Sequence, residues 1–196
     1  MNTGIIILAA GNSSRLGRPK QLLKYKGKTL LDLVTEEALK IPFIPTVVVL
    51  GAYSKEILNH HTYLGIAYIV NPNWQTGISS SIVAGMSAIG NQSKEIENVI
   101  IAVADQVFIT SKVFEKLLEK RKLSSKGIIA SSYAETVGTP VLFSKKYFEK
   151  LLSLTGNTGA KSIVELNMED TETIPFELGH IDIDTETDYN NLIKHQ

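Results

Sequence analysis

At 196 residues, with 43% hydrophobic and 20% charged content, the chain is long enough to bury a sizeable core, and one domain is the default expectation. Lys and Arg together number 20, as do Asp and Glu. Zero net charge argues against a surface given over to nucleic acid or anionic membrane, while leaving room for a local basic pocket. The absence of cysteine excludes disulfides, thiolate nucleophiles and Cys-held metal or iron–sulfur centres. The opening apolar run is far short of the roughly twenty residues a membrane span needs and has no basic stretch before it. Neither a signal peptide nor a span is expected, and a cytoplasmic setting is the simplest.

Residues 4–20 read Gly-Ile-Ile-Ile-Leu-Ala-Ala-Gly-Asn-Ser-Ser-Arg-Leu-Gly-Arg-Pro-Lys. The continuous apolar run predicts a buried strand of a parallel sheet rather than a half-exposed, alternating one. The segment after it predicts an anion site. Gly11 and Gly17 allow close approach of backbone N–H groups, and Arg15 and Lys20 add fixed positive charge. A polar stretch, 24–28, leads to Thr29 as the N-cap of a helix through 40, ended by Pro42 and Pro45. Strands are expected at 46–50 and 66–70, with a short helix at 55–60 capped by Ser54 between them. Gly77 and three serines lead into a helix over 82–89, and 99–103 is a fourth strand with Asp105 just past its end. Thr110 caps a helix to 121. Strands at 128–131 and 140–143, helices at 147–152 and 160–166, and a final strand at 181–184 follow. Thr185 and Asp188 have capping-box spacing for the last helix.

Four strand–helix repeats in the first 120 residues predict an α/β fold: a single-domain, doubly wound, mostly parallel Rossmann-like sheet. Within it, residues 1–123 form the nucleotide-side part, and 124–196 the acceptor and C-terminal part. Ligands of such sheets bind beyond the carboxyl ends of the strands. Placing the loops accordingly gathers the Gly11–Lys20 segment, the serine-rich start after Gly77, Asp105 and Asp184 at one crevice. That is equipment for a metal-bound nucleotide. The loop is neither a Walker A motif nor Gly-x-Gly-x-x-Gly. Several residues keep two readings. Asp105 could be a turn residue, and Asp184 a cap. Asp182, two residues earlier on the same strand face, could take the ligand role instead. Trp74 is a loop anchor or a substrate contact. His60, His61, His180 and His195 show no metal-ligand spacing beyond one adjacent pair.

The segment Leu8-Ala9-Ala10-Gly11-x-Ser13-x-Arg15-x-Gly17-x-Pro19-Lys20 resembles the signature loop of the nucleotidyltransferases that load the molybdenum cofactor, and within them the cytidylyltransferase branch. The similarity continues, in family order, at Asn71-Pro72-x-Trp74-x-x-Gly77-x-Ser79-Ser80-Ser81, Asp105-Gln106, Gly138-x-Pro140-Val141-x-Phe143, Gly156-x-x-Gly159-Ala160 and Asp182-Ile183-Asp184-Thr185. The resemblance implies transfer of CMP from CTP to the terminal phosphate of molybdopterin, with Mg²⁺ and release of pyrophosphate. It assigns Arg15 to the departing phosphates, Lys20 to the α-phosphate region, and Asp105 and Asp184 to the metal. Leu8, Ala9 and Ala10 wall the base, Ser81 meets its polar edge, and Gly11 and Gly77 complete the nucleotide seat. Gly138, Pro140 and Gly159 fall on the acceptor side.

The chain also departs from the family pattern. Val107 stands where the family commonly has proline, and Asn157 and Lys161 replace an aspartate and an arginine expected to touch the acceptor. The alternatives are transfer to a sugar or polyol phosphate, guanylyl transfer to the molybdenum cofactor, and a non-catalytic protein delivering the cofactor to a molybdenum hydroxylase. No nucleic-acid or membrane partner is expected.

Overall fold

The computed structural model describes residues 2–60 and 63–194. Its centre is a seven-stranded sheet built from β1 (Thr3–Ala9), β4 (Thr46–Leu50), β5 (Ile66–Val70), β6 (Asn98–Val103), β7 (Ile128–Tyr133), β8 (Thr136–Ser144) and β9 (Thr171–Pro175). The spatial order is β5-β4-β1-β6-β8-β7-β9. β5, β4, β1 and β6 pair in parallel, β8 runs antiparallel to both β6 and β7, and β9 returns parallel to β7. The expected mostly parallel, doubly wound sheet is therefore present, with one reversed strand inside it. A separate two-stranded hairpin, β2 (Lys24–Tyr25) and β3 (Lys28–Thr29), occupies the stretch expected to be merely polar.

β1 is buried along its whole length because both of its faces are covered. Ile5 and Ile7 point toward α1 (Leu30–Leu39), α2 (Ser54–His60) and α4 (Ser111–Leu123), where Leu31, Val34, Ile57, Phe114 and Leu117 pack with them. Ile6 and Leu8 point the other way, toward α3 (Ile78–Gln92), α5 (Phe148–Leu152) and α6 (Ala160–Glu165), meeting Ile82, Met86, Leu151 and Val164. Each such side chain contributes about 1.5–3 kcal/mol on leaving water, so the apolar strand is stable only between two helical layers. α3 lies so close that a Cβ at Gly85 would stand 2.5 Å from Ile6 Cγ2.

The helix starts follow local chemistry. Thr29 Oγ1 accepts from Asp32 N at 3.1 Å while Asp32 Oδ2 accepts from Thr29 N at 3.0 Å, a capping box at α1. The box expected at α7 (Glu186–Lys194) is present too, with Thr185 N donating to Asp188 Oδ2 at 2.7 Å and Asp188 N to Thr185 Oγ1 at 3.2 Å. At α4 the expectation needs correcting. Thr110 holds the cap position without a capping hydrogen bond, and Glu37 of α1 instead accepts from Ser111 N at 2.7 Å. Ser54 lies inside α2 rather than before it.

Two strand assignments also change. Residues 181–184 form no strand. Ile183 is fully buried, but in a small third cluster with Leu16, Leu23, Tyr25, Leu30, Val107 and Leu192, beside the signature loop. The alternation there reflects packing on that loop and not a sheet ladder. The unforeseen strand is β9, which carries Pro175 at the sheet's edge, where a missing N–H donor costs no ladder bond. Among the described residues no helix is long and apolar enough to cross a membrane.

Candidate functional site

The signature loop leaves β1 and folds back on itself. Ser13, at φ +49°, accepts at its carbonyl from the N–H groups of Leu16 and Gly17, both at 2.9 Å, and Gly17 follows at φ +68°. Ser13 Oγ accepts from Lys20 N at 3.1 Å, fixing where the lysine leaves the backbone. Gln21, 2% exposed, reaches under the turn and donates through Nε2 to Ala9 O at 2.8 Å and Gly11 O at 3.1 Å. This clasp sets the conformation of the Ala9–Gly11 backbone. It is the main positioning residue that the sequence reading missed, and its only sequence signal is a polar side chain wedged between Lys20 and Leu22.

Opposite the loop, α3 starts at a close backbone approach. Gly77 lies at φ +113°, and a Cβ there would stand 2.1 Å from Gly156 O and 2.6 Å from Asn157 Oδ1. Ser79 Oγ donates to the same Gly156 carbonyl at 2.6 Å, pinning the Gly156 segment over the helix start. Asn71, at the end of β5, donates to Ser80 Oγ at 2.8 Å and Ser81 Oγ at 3.1 Å, which orients both hydroxyls.

Leu8, Ala9, Ala10, Gly11, Lys20, Gly77, Ser81 and Asp105 line one cleft of about 390 Å³, joined there by Gln21, Trp74 and Asn157. Asn157, expected on the acceptor side, thus borders the same space as Lys20. Arg15 and Asp184 stand beside this cleft and connect to it through Lys20. Gly138, Pro140 and Gly159 lie elsewhere. A Cβ at Gly138 would meet Tyr133 Oη at 2.2 Å; Pro140 is buried, its carbonyl accepting from Ser131 Oγ at 2.7 Å; and Gly159 precedes α6, against Ile78.

The electrostatic centre is a cation held by two carboxylates. Lys20 Nζ lies 2.5 Å from Asp105 Oδ2 and 2.7 Å from Asp184 Oδ1. Arg15 Nη2 lies 2.5 Å from the other Asp184 oxygen. Burial alone would push the Lys20 pKa down, but the charge and hydrogen bond of Asp105, reinforced by Asp184, outweigh it and the net shift is upward. Burial likewise raises Asp184, and the Lys20 and Arg15 contacts overcome it, leaving its carboxyl below the usual carboxylate range. Asp182 goes the other way, raised first by desolvation and then by the like charges of Asp105 and Asp184. Of the two C-terminal aspartates, Asp184 is the one that converges with Asp105.

The surrounding elements hold this arrangement. Asp188 Oδ2, the capping carboxylate of α7, also accepts from Asp184 N at 3.2 Å. Gln106, buried beside Asp105, donates to Thr139 O at 2.9 Å and Gly179 O at 2.7 Å. Arg18 pairs with both Glu186 oxygens, at 2.8 and 2.9 Å, and stacks over the Tyr189 ring. The C-terminal segment is therefore strapped to the signature loop.

Among the described residues no three His, Asp or Glu side chains come together as a metal cage. The donor set at Asp105 and Asp184 nevertheless suits a hard divalent cation that takes few carboxylates and completes its shell with phosphate and water oxygens. His180 Nδ1 lies 2.8 Å from Glu177 O, and His61 and His195 lie outside the described residues.

The family model described as MobA-like NTP transferase domain matches residues 5–173. A nicotine blue oxidoreductase of Paenarthrobacter nicotinovorans is 30% identical over 136 residues, covering 69% of this chain and 63% of that protein's length. The molybdenum cofactor cytidylyltransferase of Escherichia coli (strain K12) is 28% identical over 189 residues, covering 94% of this chain and 92% of that one. The Rv0371C protein of Mycobacterium tuberculosis H37Rv, solved in complex with manganese, superposes with a TM-score of 0.82 at 22% identity over the full length of both chains; that likeness shows the fold.

Proposed function

The chain belongs to the MobA-like NTP transferase domain family, a family of nucleotidyltransferases, and on that premise we propose that it transfers CMP from CTP to the terminal phosphate of a molybdopterin-type acceptor, releasing pyrophosphate. The observation that carries the reading is the convergence of Lys20, Asp105 and Asp184, with Arg15 alongside, at the cleft bordered by residues 8–11. The 94% coverage by the cytidylyltransferase relative supports the choice of base and acceptor.

The chemistry asks little covalent work of the protein. An anionic oxygen of the acceptor phosphate forms a bond to the α-phosphorus, and the bond to the bridging β-oxygen breaks, the electron pair leaving with pyrophosphate. No side-chain nucleophile or base is needed. Arg15 and Lys20 neutralise the phosphates, with Lys20 placed to follow the charge that shifts at the α-phosphorus. Asp105 and Asp184 would hold Mg²⁺, which when bound supplies further charge neutralisation to the phosphates. Residues 8–10 form an apolar wall for the base, and the Gln21 clasp keeps that wall in place.

The test is pyrophosphate release across donors and acceptors. CTP with molybdopterin should give turnover. A preference for GTP would make it a guanylyl transferase, and turnover only with sugar or polyol phosphates would move the acceptor. Tight cofactor binding without turnover would leave a delivery protein. Asp105→Asn should lower the rate at least about 100-fold with an unchanged circular dichroism spectrum; near-normal turnover would overturn the metal assignment.

The oxidoreductase relative motivates a second reading, in which the cleft serves a redox reaction. Following reduced nicotinamide absorbance with and without a quinone-type acceptor separates the two. On the transferase reading, no oxidation occurs.

A further inference from the structure

We infer that Lys20 is a built-in occupant of the divalent-cation seat, so that a metal ion binds at least tenfold more tightly together with the nucleotide phosphates that draw Lys20 away than on its own. The inference rests on the transferase reading of this site and adds an order of events to it.

The geometry comes first. The two carboxylate oxygens that contact Nζ belong to segments 79 residues apart in sequence, and they lie at most about 5 Å from each other. The segments that carry both carboxylates are held independently of the lysine. Asp184 is held by Asp188 through its own N–H, and Gln106 ties the Asp105 loop to Gly179, just before the Asp184 segment. The ammonium occupies the space between these oxygens, which are the hard donors that a magnesium ion takes at about 2.0–2.1 Å. An ammonium and a divalent ion within about 3 Å of each other repel strongly where water is partly excluded, and the Lys20 side chain is only 15% exposed.

Charge balance points the same way. Asp105 and Asp184 are neutralised by Lys20 and Arg15. A bare divalent ion entering among these four groups would leave them two positive charges in excess, of which the neighbouring Asp182 carboxylate could offset one. A metal–triphosphate brings its own negative charge, and its phosphates give both cations new partners. The lysine is fixed at its backbone by Ser13 and held at its tip by the two carboxylates, and its side chain lines the cleft that a nucleotide would fill. Nζ can therefore exchange carboxylate for phosphate without moving the loop. Metal and nucleotide then bind with positive coupling, which must be reciprocal.

Manganese(II) serves as the probe, its free aquo ion followed by electron paramagnetic resonance at room temperature. The wild-type protein should bind Mn²⁺ weakly alone and at least tenfold more tightly with CTP present. Lys20→Met should bind Mn²⁺ alone at least tenfold more tightly than wild type, lose most of the coupling to CTP, and give up the gain when Asp184→Asn is added. Lys20→Arg, which keeps the charge, should behave as wild type toward the metal alone. Should Lys20→Met fail to fold by circular dichroism, Lys20→Gln carries the same expectation. An unchanged or weaker Mn²⁺ affinity in the neutral variant overturns the inference. Because this measurement uses neither acceptor nor turnover, it stands or falls separately from the pyrophosphate-release test.

Discussion

Asp170 illustrates what a single side chain far from the cleft contributes. Its Oδ2 accepts from Tyr147 Oη at 2.6 Å and Lys146 Nζ at 3.0 Å, and its Oδ1 from Gly127 N at 3.2 Å. The Tyr147 hydroxyl is the largest influence; burial opposes it, and Lys146 and Gly127 add to it, bringing the carboxyl from 3.8 down to about 2. A pKa lower in the folded than in the unfolded chain stabilises the fold above the unfolded value and ceases to do so as pH falls through the folded value. After solvent screening, Asp170 should thus contribute about 1 kcal/mol above roughly pH 4, lost between pH 4 and 2. Urea melts at pH 6 and pH 2.5 check this, with Asp170→Asn expected to lower stability at pH 6 and to flatten that acid limb. At this scale the sequence made Lys20, Arg15 and Asp105 legible, because charged residues next to glycines and strand ends stand out. Gln21 did not stand out, because its role is two hydrogen bonds to carbonyls whose positions depend on the folded turn.

Among the elements, the start of α3 shows how narrow the tolerances are. Gly77 combines a left-handed φ with a carbonyl 2.1 Å from where a Cβ would be. Gly77→Ala should cost about 3 kcal/mol and displace the Gly156–Asn157 segment from the cleft, read as a lower urea midpoint together with weaker CTP binding in calorimetry. A midpoint within experimental error of wild type would show that the 153–159 segment yields easily. Periodicity exposed the long helices and the parallel strands, since a strand buried on both faces must be apolar throughout. In the C-terminal third it located β7, β8, α5, α6 and α7 but missed β9 and took residues 181–184 for a strand. The β7–β8 hairpin turns at Ala134 and Glu135, both at positive φ, without the Asn-Gly that usually announces such a turn. Ile183 is apolar for contact with the signature loop, a partner invisible to a local window.

For the molecule as a whole, the pairing of β6 with β8 joins the nucleotide-side residues 1–123 to the remainder through the middle of one sheet. Residues 1–123 alone would expose the β6 edge and the core surface that β7, β8 and α6 cover. That fragment should be unfolded by circular dichroism, whereas the full chain should melt in one cooperative transition; a folded 1–123 fragment would make the two parts separate domains. The strap of Arg15 and Arg18 onto Asp184 and Glu186 crosses this same boundary.

The sequence by itself determined the layered α/β architecture and the chemical kinds present at the site. Hydrophobic periodicity and glycine placement act locally, and charged side chains beside strand ends face one crevice in any sheet of this type. Only the tertiary structure decided that Asp184 rather than Asp182 shares Lys20 with Asp105, that Asn157 borders the same cleft as Lys20, and that Lys20 lies between the two carboxylates. Those outcomes depend on segments 85 to 169 residues apart being brought within hydrogen-bonding distance, a closeness set by strand order and by the packing of residues 181–184 on the signature loop. The loop's short motif therefore carried the charged groups, and the fold supplied the geometry that sets its lysine between the two aspartates.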